Sequence, residues 1–192
     1  MRPYAIIALL ILGDAFSQDV AIKNSSSPDG KYSVTAQYLD SRICYRIHDL
    51  TTQALLSAAE SDYSAHFSES PEWAWKQVSQ AEVDWRADGR YVAITESNHR
   101  HIGRVIIFHR TQKGFAPLSF TDQQLFKFTG LPWERGRSFF GRWTEGQKAA
   151  IFLSGRLWHE DKKQFERITS EITIDLANNG EILNFEIKKD KK

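Results

Sequence analysis

A short phrase occurs three times in this chain. Residues 27–32 read SPDGKY, residues 87–91 read ADGRY and residues 144–148 read TEGQK. Each is a tight turn that runs into an alternating apolar stretch. Gly30, Gly89 and Gly146 recur with a period of about 58 residues, the mark of a repeated supersecondary unit. The repeat therefore governs architecture, and any function must be carried by residues added to it.

Each unit reads as four short strands in series. The first contains VAIK (20–23), SVTAQY (33–38), ICYRIHDL (43–50) and ALLS (54–57). The second contains AEVDW (81–85), VAITES (92–97), RVIIFHR (104–110) and FAPLSF (115–120). The third contains SFFGRW (138–143), AAIFLS (149–154), EITIDL (171–176) and EILNFEI (181–187). Alternating or short β-branched and aromatic runs suit a pleated surface with one or both faces buried. Asp29-Gly30, Asp88-Gly89 and Asn179-Gly180 supply hairpin chemistry, with glycine accepting a positive φ and the Asx side chain bonding local backbone. Residues 58–80 and 121–136 connect the units. The insertion 155–170, GRLWHEDKKQFERITS, reads as an extended hairpin or a mobile loop.

The phrase SPDGKY, an alternating strand and an I-x-D-L strand end together resemble the WD-like repeats of TolB-type β-propellers. Ser27, Pro28, Asp29 and Gly30 carry the turn, and Ile47, Asp49, Leu50 and Ile174, Asp175, Leu176 carry the strand end. Trp85 and Trp143 stand just ahead of their turns, where such repeats often carry a Trp. The second unit departs with His109-Arg110 in place of Asp-Leu, and the third departs with Thr144-Glu145 at its turn. The resemblance implies an all-β fold of three blade-like four-stranded antiparallel meanders. Closed propellers typically have four to eight blades, so an incomplete or open propeller-like assembly is expected, with a β-sandwich as the alternative.

Residues 1–17 have the form of a secretory signal peptide: Arg2, an apolar run AIIALLILG at 5–13, then Ala15 and Ser17 at the two positions a signal peptidase reads,. Export to the periplasm or extracellular space is the expectation, with no membrane association after cleavage. Residues 18–188 form a single all-β domain, with units at about 19–57, 80–120 and 137–188, and 189–192 a basic tail,. The net charge of +1 argues against a nucleic-acid partner. Cys44 is the one cysteine, so no internal disulfide is available, and a buried apolar role is expected for it.

No G-x-S-x-G, H-E-x-x-H, Walker loop or G-x-G-x-x-G occurs, and no catalytic residue, metal or cofactor is assigned. His99 and His101 share a face if extended, but a zinc site needs a further ligand that no near neighbour supplies; a solvated loop is the simpler reading. WERGRSFFGRW (133–143) interleaves rings with arginines and suits an anion or glycan surface. Its strand half, 138–143, reads more simply as inward rings and outward arginines. Trp158-His159 suits a contact surface or a cover for a sheet edge. The candidate binding residues are thus Trp133, Arg135, Arg137, His99, His101, Trp158 and His159. The turn acids Asp29, Asp88 and Glu145 read as structural.

The leading expectation is a non-enzymatic module that binds a protein or glycan surface through loops between strands and between blades, with an oligomer left open. A metal-dependent or other hydrolase would need His66, His99, His101, His109 and His159 to converge with acids. A self-assembling structural subunit is the third reading. Gly89→Val is expected to destabilise strongly, because a β-branched residue resists positive φ; a parent-like melting curve would mean that no such turn exists.

Overall fold

The chain is described here from a computed structural model, which describes residues 20–39, 42–60, 80–97, 103–118, 124, 127, 137–159 and 161–189. All twelve expected strands form. The first unit holds β1 (Val20–Ser26), β2 (Tyr32–Leu39), β3 (Arg42–Asp49) and β4 (Leu55–Glu60). The second holds β5 (Glu82–Trp85), β6 (Tyr91–Ser97), β7 (Gly103–Thr111) and β8 (Gly114–Pro117). The third holds β9 (Arg137–Thr144), β10 (Lys148–His159), β11 (Gln164–Leu176) and β12 (Ile182–Lys189). Each unit makes its own four-stranded antiparallel sheet in simple chain order. The insertion of unit three is the extended hairpin: β10 and β11 pair without a break from Lys148↔Asp175 to His159↔Gln164.

The repeated glycines do what the sequence requires of them. Gly30, Gly89 and Gly146 have φ of 68°, 65° and 73°, the left-handed region open to glycine at little cost. In the first two turns the glycine N–H closes the loop onto the carbonyl of Ser27 or Arg86, at 2.9 Å in both. Pairing is equivalent across units: Tyr32↔Asp49, Tyr91↔His109 and Lys148↔Asp175 open the second ladder of each sheet.

The three sheets stack in series around two cores instead of forming one two-sheet sandwich. Tyr32, Val34, Ile43, Tyr45 and Ile47 of unit one meet Val83, Val92, Ile94, Phe108 and Phe115 of unit two. Tyr91, Ala93, Val105 and Ile107 of unit two meet Ala149, Ile151, Leu153, Ile172 and Ile174 of unit three. Unit two is thus buried on both faces, which is why β6 carries the continuous run Tyr91-Val92-Ala93-Ile94, no member of it more than 1% exposed,. Complete burial of each Val or Ile contributes roughly 1.5–3 kcal/mol.

One device joins the units twice. The Trp85 indole N–H donates to the Ser25 carbonyl at 2.9 Å, and the Trp143 indole N–H donates to the Asp84 carbonyl at 3.2 Å. Each Trp also packs on the Tyr that starts the second strand of the preceding unit, Tyr32 for Trp85 and Tyr91 for Trp143. Unit one has Ser26 where the others have Trp, and unit three has Lys148 where the others have Tyr. Lys148 is instead 3.7 Å from Asp175 as an ion pair.

The outer faces are mostly polar, with Phe152 exposed on that of unit three. Thr35 bonds His48 at 3.0 Å and Arg46 donates to Gln37 at 2.9 Å on unit one. Glu171 draws Arg142 and Lys188 to itself on unit three. Cys44 lies on this outer, half-buried face of β3, not in the core as expected. The reason is strand parity: Ile43, Tyr45 and Ile47 take the inward positions, so Cys44 alternates outward with Arg46 and His48,.

Tyr45 is fully buried, and its phenol is pushed well above its ordinary value of 10.0 by burial and by the Glu96 carboxylate that shares its hydroxyl hydrogen bond. Tyr45 belongs to unit one and Glu96 to unit two, so this bond crosses the first core. Tyr45→Phe is expected to leave Glu96 short of a donor and to cost about 1–3 kcal/mol, measured as a lowered urea midpoint with the slope unchanged.

Candidate functional site

In a meander, alternate connections emerge at one end. The β1–β2, β5–β6 and β9–β10 turns therefore share an end with the β3–β4, β7–β8 and β11–β12 turns. At this end, between units two and three, lies a cleft of about 470 Å³ lined by Arg90, His109, Arg110, Thr111, Gln112, Asn178 and Asn179. Its volume falls in the range of small-molecule sites.

The cleft coincides with the place where unit two departs from its siblings. The positions of Asp49-Leu50 in unit one and Asp175-Leu176 in unit three are held in unit two by His109-Arg110, with the same backbone anchoring. Leu50 N–H donates to the Lys31 carbonyl at 2.7 Å, Arg110 N–H to the Arg90 carbonyl at 2.7 Å and Leu176 N–H to the Gln147 carbonyl at 2.8 Å. The Asp49 carboxylate accepts from Thr51 N–H and Thr52 N–H at 2.8 and 2.9 Å, which closes the β3–β4 turn and lowers its pKa. In unit two Thr111 closes the turn instead: its Oγ1 accepts from Lys113 N–H and donates to the Gly114 carbonyl, both at 3.2 Å. Position 109 is thereby released from turn closure.

The walls are held from both units. The Tyr91 hydroxyl donates to the Ala177 carbonyl at 2.6 Å and lies 3.3 Å from Gln147 Oε1. Arg90 Nη1 donates to Asn178 Oδ1 at 3.3 Å, and Gln147 Nε2 donates to the same oxygen. Because a guanidinium only donates, Asn178 must turn its Oδ1 toward Arg90, which leaves its amide N–H₂ on the other side. The His109 ring lies against Gly180, where φ is 81° and an added Cβ would overlap the imidazole. The Arg86 guanidinium lies over the Tyr91 ring, 5.6 Å from its centroid, whereas the Arg110 guanidinium lies on the other face of β7, 5.1 Å from the centroid of the Tyr32 ring of unit one.

Charge is distributed unevenly here. Lys31 of unit one pairs with Asp29 at 3.6 Å. Its counterpart Arg90 has no such partner, because Asp88 is engaged by Arg86 at 3.6 Å and by the Arg90 backbone N–H at 3.0 Å. Among the described residues, neither Arg90 nor Arg110 has a carboxylate partner, and no Asp or Glu lines the cleft.

The residues singled out from the sequence lie elsewhere. Trp133, Arg135, His99 and His101 lie outside the described residues. Arg137 opens β9 opposite Ser154, and Trp158 and His159 close β10 opposite Phe165 and Gln164; their side chains lie outside the described residues. Trp158 stands four residues beyond Ser154 on β10, about 13 Å along an extended strand, so Arg137 and Trp158 do not share a position on the sheet. Of the five histidines a metal-dependent hydrolase would have drawn on, only His109 has a described side chain. Among the described residues no group of three or more His, Cys, Asp or Glu is placed to hold a metal. No helix among them is long and apolar enough to cross a membrane. The signal for the cleft was present in the sequence as the His109-Arg110 departure, but nothing in the sequence places Asn178 and Asn179 beside it.

No family model matches this chain, and no curated protein matches it. Among solved structures, it is similar to a proposed 6-phosphogluconolactonase from Bacteroides uniformis at 14% identity and a TM-score of 0.31. That match covers 85% of this chain and 42% of the other.

Burial holds the His109 imidazole below its ordinary value of 6.5, and its Nδ1 is buried without a hydrogen-bond partner among the described residues. The unfolded chain therefore binds a proton at His109 before the folded chain does, and His109 contributes a stability that falls as pH drops through 6.5 toward the lower folded value. His109→Gln is expected to lose less stability than the parent between pH 7.5 and pH 5, read from urea midpoints at the two pH values.

Proposed function

We propose that this protein is an exported, non-enzymatic binding module that uses its inter-strand and inter-blade turns, and that the ligand sits in the cleft between units two and three. The observation that carries this reading is the localised departure of unit two. Units one and three carry Asp-Leu at this strand end and unit two carries His109-Arg110; the Asp closes the following turn in unit one, and Thr111 closes it in unit two. A scaffold residue replaced without loss of the scaffold is a residue free to serve a ligand. Binding surfaces commonly lie on loops held by a rigid frame, and unit two, buried on both faces, is the most constrained frame this molecule has.

The propeller-like reading belongs here too. The Trp and Tyr that staple consecutive units fit blades of the WD-like, TolB-type kind, arranged as an open series. Export follows from the signal-like residues 1–17. Self-assembly by continuing the stack is disfavoured, because unit one lacks the Trp and unit three the Tyr that a further junction of the same kind would use.

The test is to titrate a chemically diverse set of small polar molecules into the ¹⁵N-labelled protein. Binders are expected to shift the amides of Arg90, His109–Gln112 and Asn178–Asn179, and Asn179→Trp, which fills the cleft, is expected to abolish those shifts. Binders that map to the opposite end of the sheets, or a screen with no saturable shift at the cleft, would overturn the reading.

A further inference from the structure

We propose that His109 is a proton-operated latch on the last turn of unit three: the neutral imidazole seats residues 177–181 against unit two, and the imidazolium releases them and widens the cleft. This deepens the binding reading by giving its cleft a control, and it rests on that reading for its purpose. The His109 ring packs so closely on Gly180 that a Cβ there would overlap its Cγ, Cδ2 and Nδ1. Nδ1 is buried without a hydrogen-bond partner among the described residues. A neutral imidazole meets this by carrying its hydrogen on Nε2, which leaves only a lone pair at Nδ1. An imidazolium has no such choice. Both of its ring nitrogens carry hydrogen, so protonation places an N–H and a positive charge where nothing accepts the bond, and a buried donor without an acceptor is destabilising.

The surroundings supply no remedy without movement. Acceptors of the turn are already engaged: the Ala177 carbonyl takes the Tyr91 hydroxyl and the Gly180 N–H, and Asn178 Oδ1 takes Arg90 and Gln147. On its own sheet His109 stands opposite Tyr91 of β6 and Ala116 of β8, and burial raises the Tyr91 phenol above its ordinary value of 10.0, so it stays neutral. Arg90 lines the cleft and Arg86 lies over the Tyr91 ring, and both oppose a further cation. Asp88 is held by Arg86 and Asp175 by Lys148. Arg110 points to the other face of β7, and Glu181 follows Gly180 at the surface. The element able to yield is the β11–β12 turn, which is tied to unit two through the side chains of Tyr91 and Arg90. Burial already holds the His109 ring below its ordinary value of 6.5, so the latch is shut at neutral pH and opens as the pH falls below 6.5. The equivalent positions of units one and three hold Asp49 and Asp175, which confines the device to this junction.

The test uses the full chain without any ligand, so its failure is distinct from failure of the binding screen. The protein is followed by NMR from pH 7.5 to pH 5. Two proximities are read as nuclear Overhauser effects, one between the His109 ring and Gly180 and one between the Tyr91 ring and residues 177–178. Both are expected to weaken together by at least half, with a midpoint that matches the titration of the His109 ring itself and lies below 6.5. His109→Gln stays neutral throughout. It is expected to keep parent-like amide shifts in units one and two and to hold the Tyr91 proximity at pH 5. A His109 ring that titrates while the Tyr91 proximity persists would mean that the ring swings out alone, and would overturn the proposal. A turn held more tightly in acid, as an ion pair from Glu181 to the imidazolium would produce, would overturn it too. So would a release that survives in His109→Gln, or a ring still neutral at pH 5. The parent titration decides by itself if the variant fails to fold.

Discussion

The structure depends on two indole N–H groups, each reaching back to a carbonyl of the preceding unit. A four-stranded meander of this size has one or two apolar faces and cannot cover them itself, so burial must come from a neighbouring sheet. Burial alone does not fix the relative position of two flat faces. The bonds from Trp85 to Ser25 and from Trp143 to Asp84 do so, because each joins a side chain of one sheet to the backbone of the next at a single point. Ser25 sits where the β1–β2 ladder is interrupted between Ala21 and Ser26, so its carbonyl is available to an outside donor. With the indole anchored, Tyr32 or Tyr91 packs on it and the two cores follow.

The same device explains why the described series has two junctions. A junction needs a Tyr on the preceding unit and a Trp on the following one. Unit one supplies Tyr32 but has Ser26 at the Trp position, and unit three supplies Trp143 but has Lys148 at the Tyr position. The faces beyond those positions carry hydrogen-bonded polar side chains and ion pairs, which water solvates without help. An exposed ion pair such as Lys148–Asp175 adds little stability, up to about 1 kcal/mol; its effect lies in making an apolar neighbour costly there.

Much of the fold was legible in the sequence because its determinants are local. Asp-Gly and Asn-Gly pairs with short alternating runs mark the hairpins, and β6's unbroken apolar run marks a doubly buried strand. Cys44 shows where local reading fails: its apolar neighbours suggest burial, while the strand's period of two sends it outward. The site was harder for a different reason. The stretches that stood out, Trp133–Arg137 and Trp158-His159, did so by composition, which reports only what a side chain could do. Arg90, His109, Arg110 and Asn178 are unremarkable one by one, and they come together only because unit three's last turn lies over unit two's.

A repeat offers its own reference state, and this is what makes the cleft interpretable. In a chain without internal repetition, a histidine with an arginine at a strand end has no expected alternative. Here the alternative is written twice in the same molecule, with its structural purpose visible in the bonds from Asp49 to the β3–β4 turn. Replacing that acid by an imidazole removes a negative charge on the side that faces unit three, and replacing the following leucine by Arg110 places a cation over Tyr32 of unit one. The backbone anchors stay at 2.7 Å in both units one and two, while the connection that follows shortens from residues 50–54 to residues 112–113, so the exchange keeps the strand-end anchor and changes the turn beyond it. A changed side chain on a retained strand-end anchor is what freed position 109 to face the last turn of unit three.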